Sequence, residues 1–187
     1  MYTPIEIKRN NKYGNNYWEA FSPKLKRNVK FFSDLEYDHW VHIEANSQIE
    51  SFCEQPLKIQ VWFKGELVES IFDMWILYTD KTEEFIEVKY ESELSGNNKK
   101  SIRSIKQTNV QRQWCLLNNY KYSIKTEKDI RKDLIYLNNL KQIISQVRSF
   151  SNPNEQDFIK ITNCLADNPK KIVELRNLTD FDLSYLI

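Results

Sequence analysis

Apolar residues recur along this chain with two periods, and the switches between them outline its elements. From Ser33 to about Ala45 the pattern suits a helix, with Ser33 as N-cap and Asp34 and Glu36 at the positive end of the helix dipole. Residues 57–63 and 66–78 alternate as strands do, and a polar turn after them leads into a third strand from Phe85 to Tyr90. Ser92 to Lys99 is a loop. A helix follows from Lys99 to Asn119, its apolar stripe supplied by Ile102, Ile105, Val110, Trp114 and Leu117. Tyr120 to Ile124 is strand-like. Thr126 with Asp129 then opens one long helix through Ile130, Leu134, Leu137, Leu140, Ile144 and Val147. Residues 1–32, interrupted by Asn, Gly14 and Pro23, read as loop or short strand. The order of elements describes an α/β domain over residues 1–150, a linker at 151–155, and a small helical tail to residue 187.

Composition narrows the class. With 41% hydrophobic and 28% charged residues the chain reads as a globular protein rather than a disordered one. No apolar run reaches the roughly 18–20 residues that span a bilayer, and the polar start lacks the apolar core of a secretory signal. Cys53, Cys115 and Cys164 are widely spaced and form no CxxC pair. Reduced thiols and a cytoplasmic location are the simplest expectation, and a zinc site is not expected.

The net charge of +1 conceals a strong segregation. Residues 1–33 carry seven basic residues against two acidic, and residues 34–93 carry four against fifteen. Residues 94–150 carry twelve against three. An acidic centre between basic flanks suits a cation-binding site that must also grip a polyanion.

The chemistry concentrates in Asp73 and in Glu87-Val88-Lys89. Alternate strand residues share a face, so Glu87 and Lys89 lie on one side, roughly 6.5–7 Å apart along the backbone. A paired strand can bring Asp73 across from Glu87. Asp73 sits in the apolar run 70–78, where an unpartnered carboxylate is costly to bury. Two carboxylates suit a hard divalent cation, which neutralises a phosphate and lowers the pKa of its water. An ammonium orients that water or stabilises developing charge. Without a cation, two close carboxylates repel and one takes up a proton. Glu36 has two readings that spacing leaves open: a capping-box residue, or a carboxylate aimed from the first turn of a rigid helix.

Taken in order, these residues resemble the PD-(D/E)xK nuclease superfamily, and within it the catalytic domain of TnsA-type transposon-end endonucleases. The likeness runs from about Lys24 to Ser149. It includes Lys30 to Glu36, Ile49 to Pro56, Phe72-Asp73, Phe85 to Lys89, Arg112-Gln113-Trp114 and Tyr122 to Ile130. It implies a restriction-endonuclease-like core, a mixed central sheet flanked by helices. Glu36, Asp73, Glu87 and Lys89 fall on its catalytic positions, and Glu36, Asp73 and Glu87 would hold one or two Mg²⁺ or Mn²⁺ ions. The implied activity is cleavage of one strand of double-stranded DNA at transposon ends, beside a TnsB-like DDE transposase and a TnsC-like AAA ATPase. Two departures stand out. Phe72 replaces the motif's proline, and the tail matches at most the opening helices of the family's winged-helix module.

Lys26, Arg27 and Lys30, and on the later helix Lys99, Lys100, Arg103 and Lys106, are the expected phosphate contacts. His39 and His42 lack further ligands at zinc spacing and read as structural. Trp40, Trp75 and Trp114 read as core. Two other functions share the same features: a free-standing phage or defence nuclease, and a DNA-binding or assembly subunit on an inactive nuclease fold.

Overall fold

A computed structural model describes residues 1–6, 16–147, 155–166 and 174. At its centre is a four-stranded mixed sheet made of β3 (Ile49–Glu54), β6 (Met74–Tyr78), β7 (Glu83–Val88) and β8 (Lys121–Lys125), in the order β3-β6-β7-β8. The first three are antiparallel neighbours, and β8 runs parallel to β7. Parallel neighbours need a long crossover, and α2 (Lys99–Leu117) supplies it after a 3₁₀ turn at Glu91–Leu94. Two hairpins stand apart from this sheet: β1 (Trp18–Ser22) with β2 (Arg27–Phe31), and β4 (Lys58–Phe63) with β5 (Glu66–Ile71). The second turns through Lys64 and Gly65, both at positive φ, as a two-residue hairpin of the primed type requires. The mixed α/β architecture, a mixed sheet flanked by helices, is that of the restriction-endonuclease-like fold.

The helix α1 (Asp34–Ala45) begins where expected, because Ser33 Oγ accepts the Glu36 amide at 3.1 Å. The strand expected over 66–78 is two strands in two sheets. Pairing with β4 ends at Ile71, pairing with β7 starts at Met74, and Phe72-Asp73 bridges them. Alternation is indifferent to which partner each half takes, so the break left no mark in the pattern. The edge strand β3 was likewise not expected from periodicity.

The long helix expected after Thr126 is also two: α3 (Glu127–Ile130) and α4 (Leu134–Val147). Arg131 leaves the helical path and its Nε donates to Asp38 at 2.7 Å. Asp133 then caps the new helix, its Oδ1 accepting the Tyr136 amide at 2.9 Å. A further helix, α5 (Glu155–Leu165), matches the first helical run of the tail. Linker residues 151–154 and the later runs of the tail lie outside the described residues. The chain divides into two compact units, Met1–Leu140 and Lys141–Ile187.

The main core packs Cys53, Ile59, Phe72, Trp75, Phe85, Val110 and Cys115 together. Trp40 and Trp75 are buried as expected, Trp114 is half-buried, and Cys53 and Cys115 are buried free thiols. His39 is buried too, and burial pushes it down to about 3, so it is neutral. His42 Nε2 lies 2.8 Å from the Ile130 carbonyl. No described helix is long and apolar enough to cross a membrane.

Candidate active site

The register of β6 and β7 pairs Met74 with Ile86, so one residue further along Asp73 falls opposite Glu87. Directly opposed residues share a face of the sheet. Two anchors hold Asp73 there. Its Oδ2 accepts the Val88 amide at 2.8 Å, and its carbonyl accepts the Gln55 amide at 3.0 Å. Phe72 points into the core, its ring 4.5 Å from that of Phe85. This aromatic anchors the bend by packing. Lys89, just past β7, places Nζ 2.5 Å from Glu87 Oε1. Asp73, Glu87 and Lys89 thus converge at one end of β7.

Glu87 is fully buried and held from α2. Gln107 Nε2 donates to its Oε1 at 2.7 Å, and Gln111 Nε2 to its Oε2 at 2.7 Å. Gln111 also lies 3.0 Å from Ser70 Oγ and 3.2 Å from the Ile71 carbonyl, and its Oε1 accepts the Tyr122 hydroxyl at 2.8 Å. The buried side of α2 is correspondingly polar: Ser101, Ser104, Thr108 and Gln111 are buried along with Cys115. Ile102 and Leu117, expected in its apolar stripe, are 58% and 72% exposed. Gln107 and Gln111 were not singled out in the sequence, and Tyr122 entered only as part of the resemblance, with no role at the site. The available signal was polar residues recurring every three or four positions, a pattern that on most helices marks the solvent face.

Electrostatics follow from this crowding. Burial, and then the Asp73 charge, push Glu87 up to about 8. Burial and the same charge raise Glu36 to about 7. Burial also raises Asp73. For Lys89 burial favours the neutral amine, but the charges of Asp73 and Glu87 outweigh it and hold the group above its ordinary range. Burial and the neighbouring Asp73 charge together favour a proton on Glu87.

Glu36 fulfils the first reading left open above, that of a capping-box residue. Its Oε1 accepts from Ser33 Oγ at 2.9 Å and its Oε2 from the Phe32 amide at 3.1 Å, while it feels the charges of Asp73 and Lys89. Among the described residues no three His, Cys, Asp or Glu side chains form a group that could hold a metal ion. Lys89 and the glutamines already engage both Glu87 oxygens, and Glu36 is held by its own cap. The donor chemistry of Asp73 and Glu87 nevertheless fits Mg²⁺ or Mn²⁺. Such ions take one or two protein carboxylates and complete their coordination with water and phosphate. Three carboxylates and one ammonium, all ionised, leave two excess negative charges, which one divalent cation offsets.

Of the expected phosphate contacts, Lys26, Lys30, Lys99 and Arg103 are exposed. The other three pair with carboxylates: Arg27 with Glu54 at 2.6 Å, Lys100, itself exposed, with Glu93 at 2.8 Å and Lys106 with Glu66 at 2.5 Å.

Comparison with curated proteins gives no match. Residues 46–127 match the family model described as TnsA-like endonuclease N terminal. The matched stretch opens just after α1 and ends at the first residue of α3, so Asp73, Glu87 and Lys89 lie within it and Glu36 lies before it. The segment that builds the central sheet and its crossover helix is therefore similar to the N-terminal domain of TnsA-like endonucleases.

Proposed function

We propose that this protein is a Mg²⁺- or Mn²⁺-dependent DNA endonuclease that cuts one strand at transposon ends, with Asp73, Glu87, Lys89 and Glu36 as its catalytic residues. The observation that carries this reading is the convergence of Asp73, Glu87 and Lys89 at one end of β7 inside a TnsA-like domain. A divalent cation bound there supplies charge neutralisation at the phosphate and a more acidic water. In hydrolysis the water oxygen bonds to phosphorus while the bond to the leaving sugar oxygen breaks. Lys89 remains an ammonium throughout the neutral range, so it stabilises the developing negative charge and does not act as the general base. Gln107 and Gln111 fix the direction in which Glu87 presents its oxygens. Glu36 adds negative charge from a helix end whose position Ser33 sets.

In this reading the exposed Lys26, Lys30, Lys99 and Arg103 hold the DNA backbone. A DDE transposase cutting the other strand and an AAA ATPase regulating both are the partners. In this reading α5 belongs to a tail module that follows residue 150, and the protein works in the cytoplasm. The test is nicking of supercoiled plasmid in Mn²⁺ by the wild type and by Asp73→Ala, with calorimetric Mn²⁺ titration of both. Nicking and Mn²⁺ binding that disappear together in the variant support the proposal. Equal nicking by the two proteins would remove it.

A further inference from the structure

A cavity of about 680 Å³ opens where β2 meets the end of β3, lined by Gln55, whose N–H bonds the Asp73 carbonyl. That volume falls in the approximate range of small-molecule sites, ~300–1,000 Å³. Three observations converge on Gln55, which lines it. The residue is only 4% exposed, yet its amide Nε2 has no hydrogen-bond partner. Its φ is +40°, although it precedes Pro56 and residues before proline favour extended backbone. Its backbone is clamped on both sides, the N–H donating to the Asp73 carbonyl at 3.0 Å and the carbonyl accepting the Ile5 amide at 2.9 Å. Strained, buried and unsatisfied groups held in place by their surroundings are characteristic of ligand sites.

The remaining lining suggests the ligand. Tyr17 and Phe32 form an aromatic wall, their ring centroids 5.8 Å apart. Arg27 is bound in two-point fashion to Glu54, at 2.6 and 2.7 Å, so these charges cancel inside the cavity. Lys30 and Glu6 balance each other in the same lining. A bare phosphate gains little from so neutral an interior. A flat heterocycle with ring acceptors gains an amide donor, an aromatic surface and, for its attached phosphate, Lys30. We infer that this cavity receives one unpaired nucleotide of the DNA substrate, next to the phosphate presented to Asp73 and Glu87. The inference rests on the nuclease reading for its substrate, but its test does not depend on cleavage.

The test is fluorescence-polarisation binding by the full chain in metal-free buffer. The probes are a labelled blunt duplex and the same duplex carrying a three-nucleotide single-stranded extension. The wild type should prefer the extended probe by about tenfold, as one stacked base implies. Phe32→Leu and Gln55→Asn, the latter chosen because Asn tolerates left-handed backbone, should lose that preference and bind the blunt probe as before. Circular dichroism verifies folding of both variants. A wild type that binds the two probes equally, or a preference retained in both variants, overturns the subsite. Asp73-dependent nicking without extension preference overturns the subsite alone. Extension preference without such nicking overturns only the nuclease reading.

Discussion

Around Asp73 the decisive quantity is a local imbalance of charge, which single side chains set. Glu87 tolerates complete burial because Lys89, Gln107 and Gln111 all donate to it. Gln111→Leu keeps much of the volume but strands that carboxylate and the Tyr122 hydroxyl. The expected loss is on the order of 2 kcal/mol in urea denaturation, together with weaker Mn²⁺ binding. Unchanged stability would mean that the network contributes nothing to the fold. The sequence made Asp73 visible, since an acid in an apolar run needs a partner. It did not reveal the glutamines, because an amide on a helix looks the same whether it faces solvent or a buried carboxylate.

Among the elements, helix α1 couples folding to the site. Ser33 both caps the helix and donates to Glu36. Ser33→Ala should lower stability by about 1 kcal/mol and raise the Glu36 pKa further, because a hydrogen bond to its charged form is lost. Carboxyl titration followed by NMR reads the second effect, and an unmoved Glu36 would count against the coupling. Helix α2 offers the opposite check. Ile102 was expected to be core but lies on the exposed side, so Ile102→Ser should shift the denaturation midpoint by no more than roughly 0.5 kcal/mol. A loss of several kcal/mol would restore the apolar-stripe reading of this helix. The breaks at Phe72-Asp73 and at Arg131–Asp133 were hidden for a related reason. Each depends on a distant partner: a second sheet in one case, Asp38 of α1 in the other.

For the whole molecule, the crowded carboxylates link stability to pH and to cation. Glu87 at about 8 and Glu36 at about 7 both lie above the ordinary 4.5. Folding therefore favours their protonated forms. Their contribution is complete below pH of about 4.5 and is lost as pH rises through about 7 to 8. Lys89 stays charged over this window. The metal-free protein should melt at progressively lower temperature between roughly pH 5 and 8.5, and Glu87→Gln should flatten that slope. Stabilisation by Mn²⁺ should grow over the same window, since binding displaces protons. A flat pH profile, or Mn²⁺ stabilisation that shrinks as pH rises, would remove the coupled-carboxylate account. Double-stranded DNA binding should weaken with salt, and replacing exposed Lys99 or Arg103 with alanine should each lower the salt slope by about one.

The sequence alone determined the α/β character, the residues of the acid–lysine cluster, and the capped start of α1. Those features depend on local period, on capping chemistry and on the cost of an acid among apolar neighbours, all of which act within a few residues. Only the tertiary structure decided that Asp73 opposes Glu87, that α2 turns amides inward to hold the latter, and that the Gln55 side chain is buried with its Nε2 unpartnered. Those outcomes depend on strand register and on contacts between residues far apart in the chain, which local pattern does not encode.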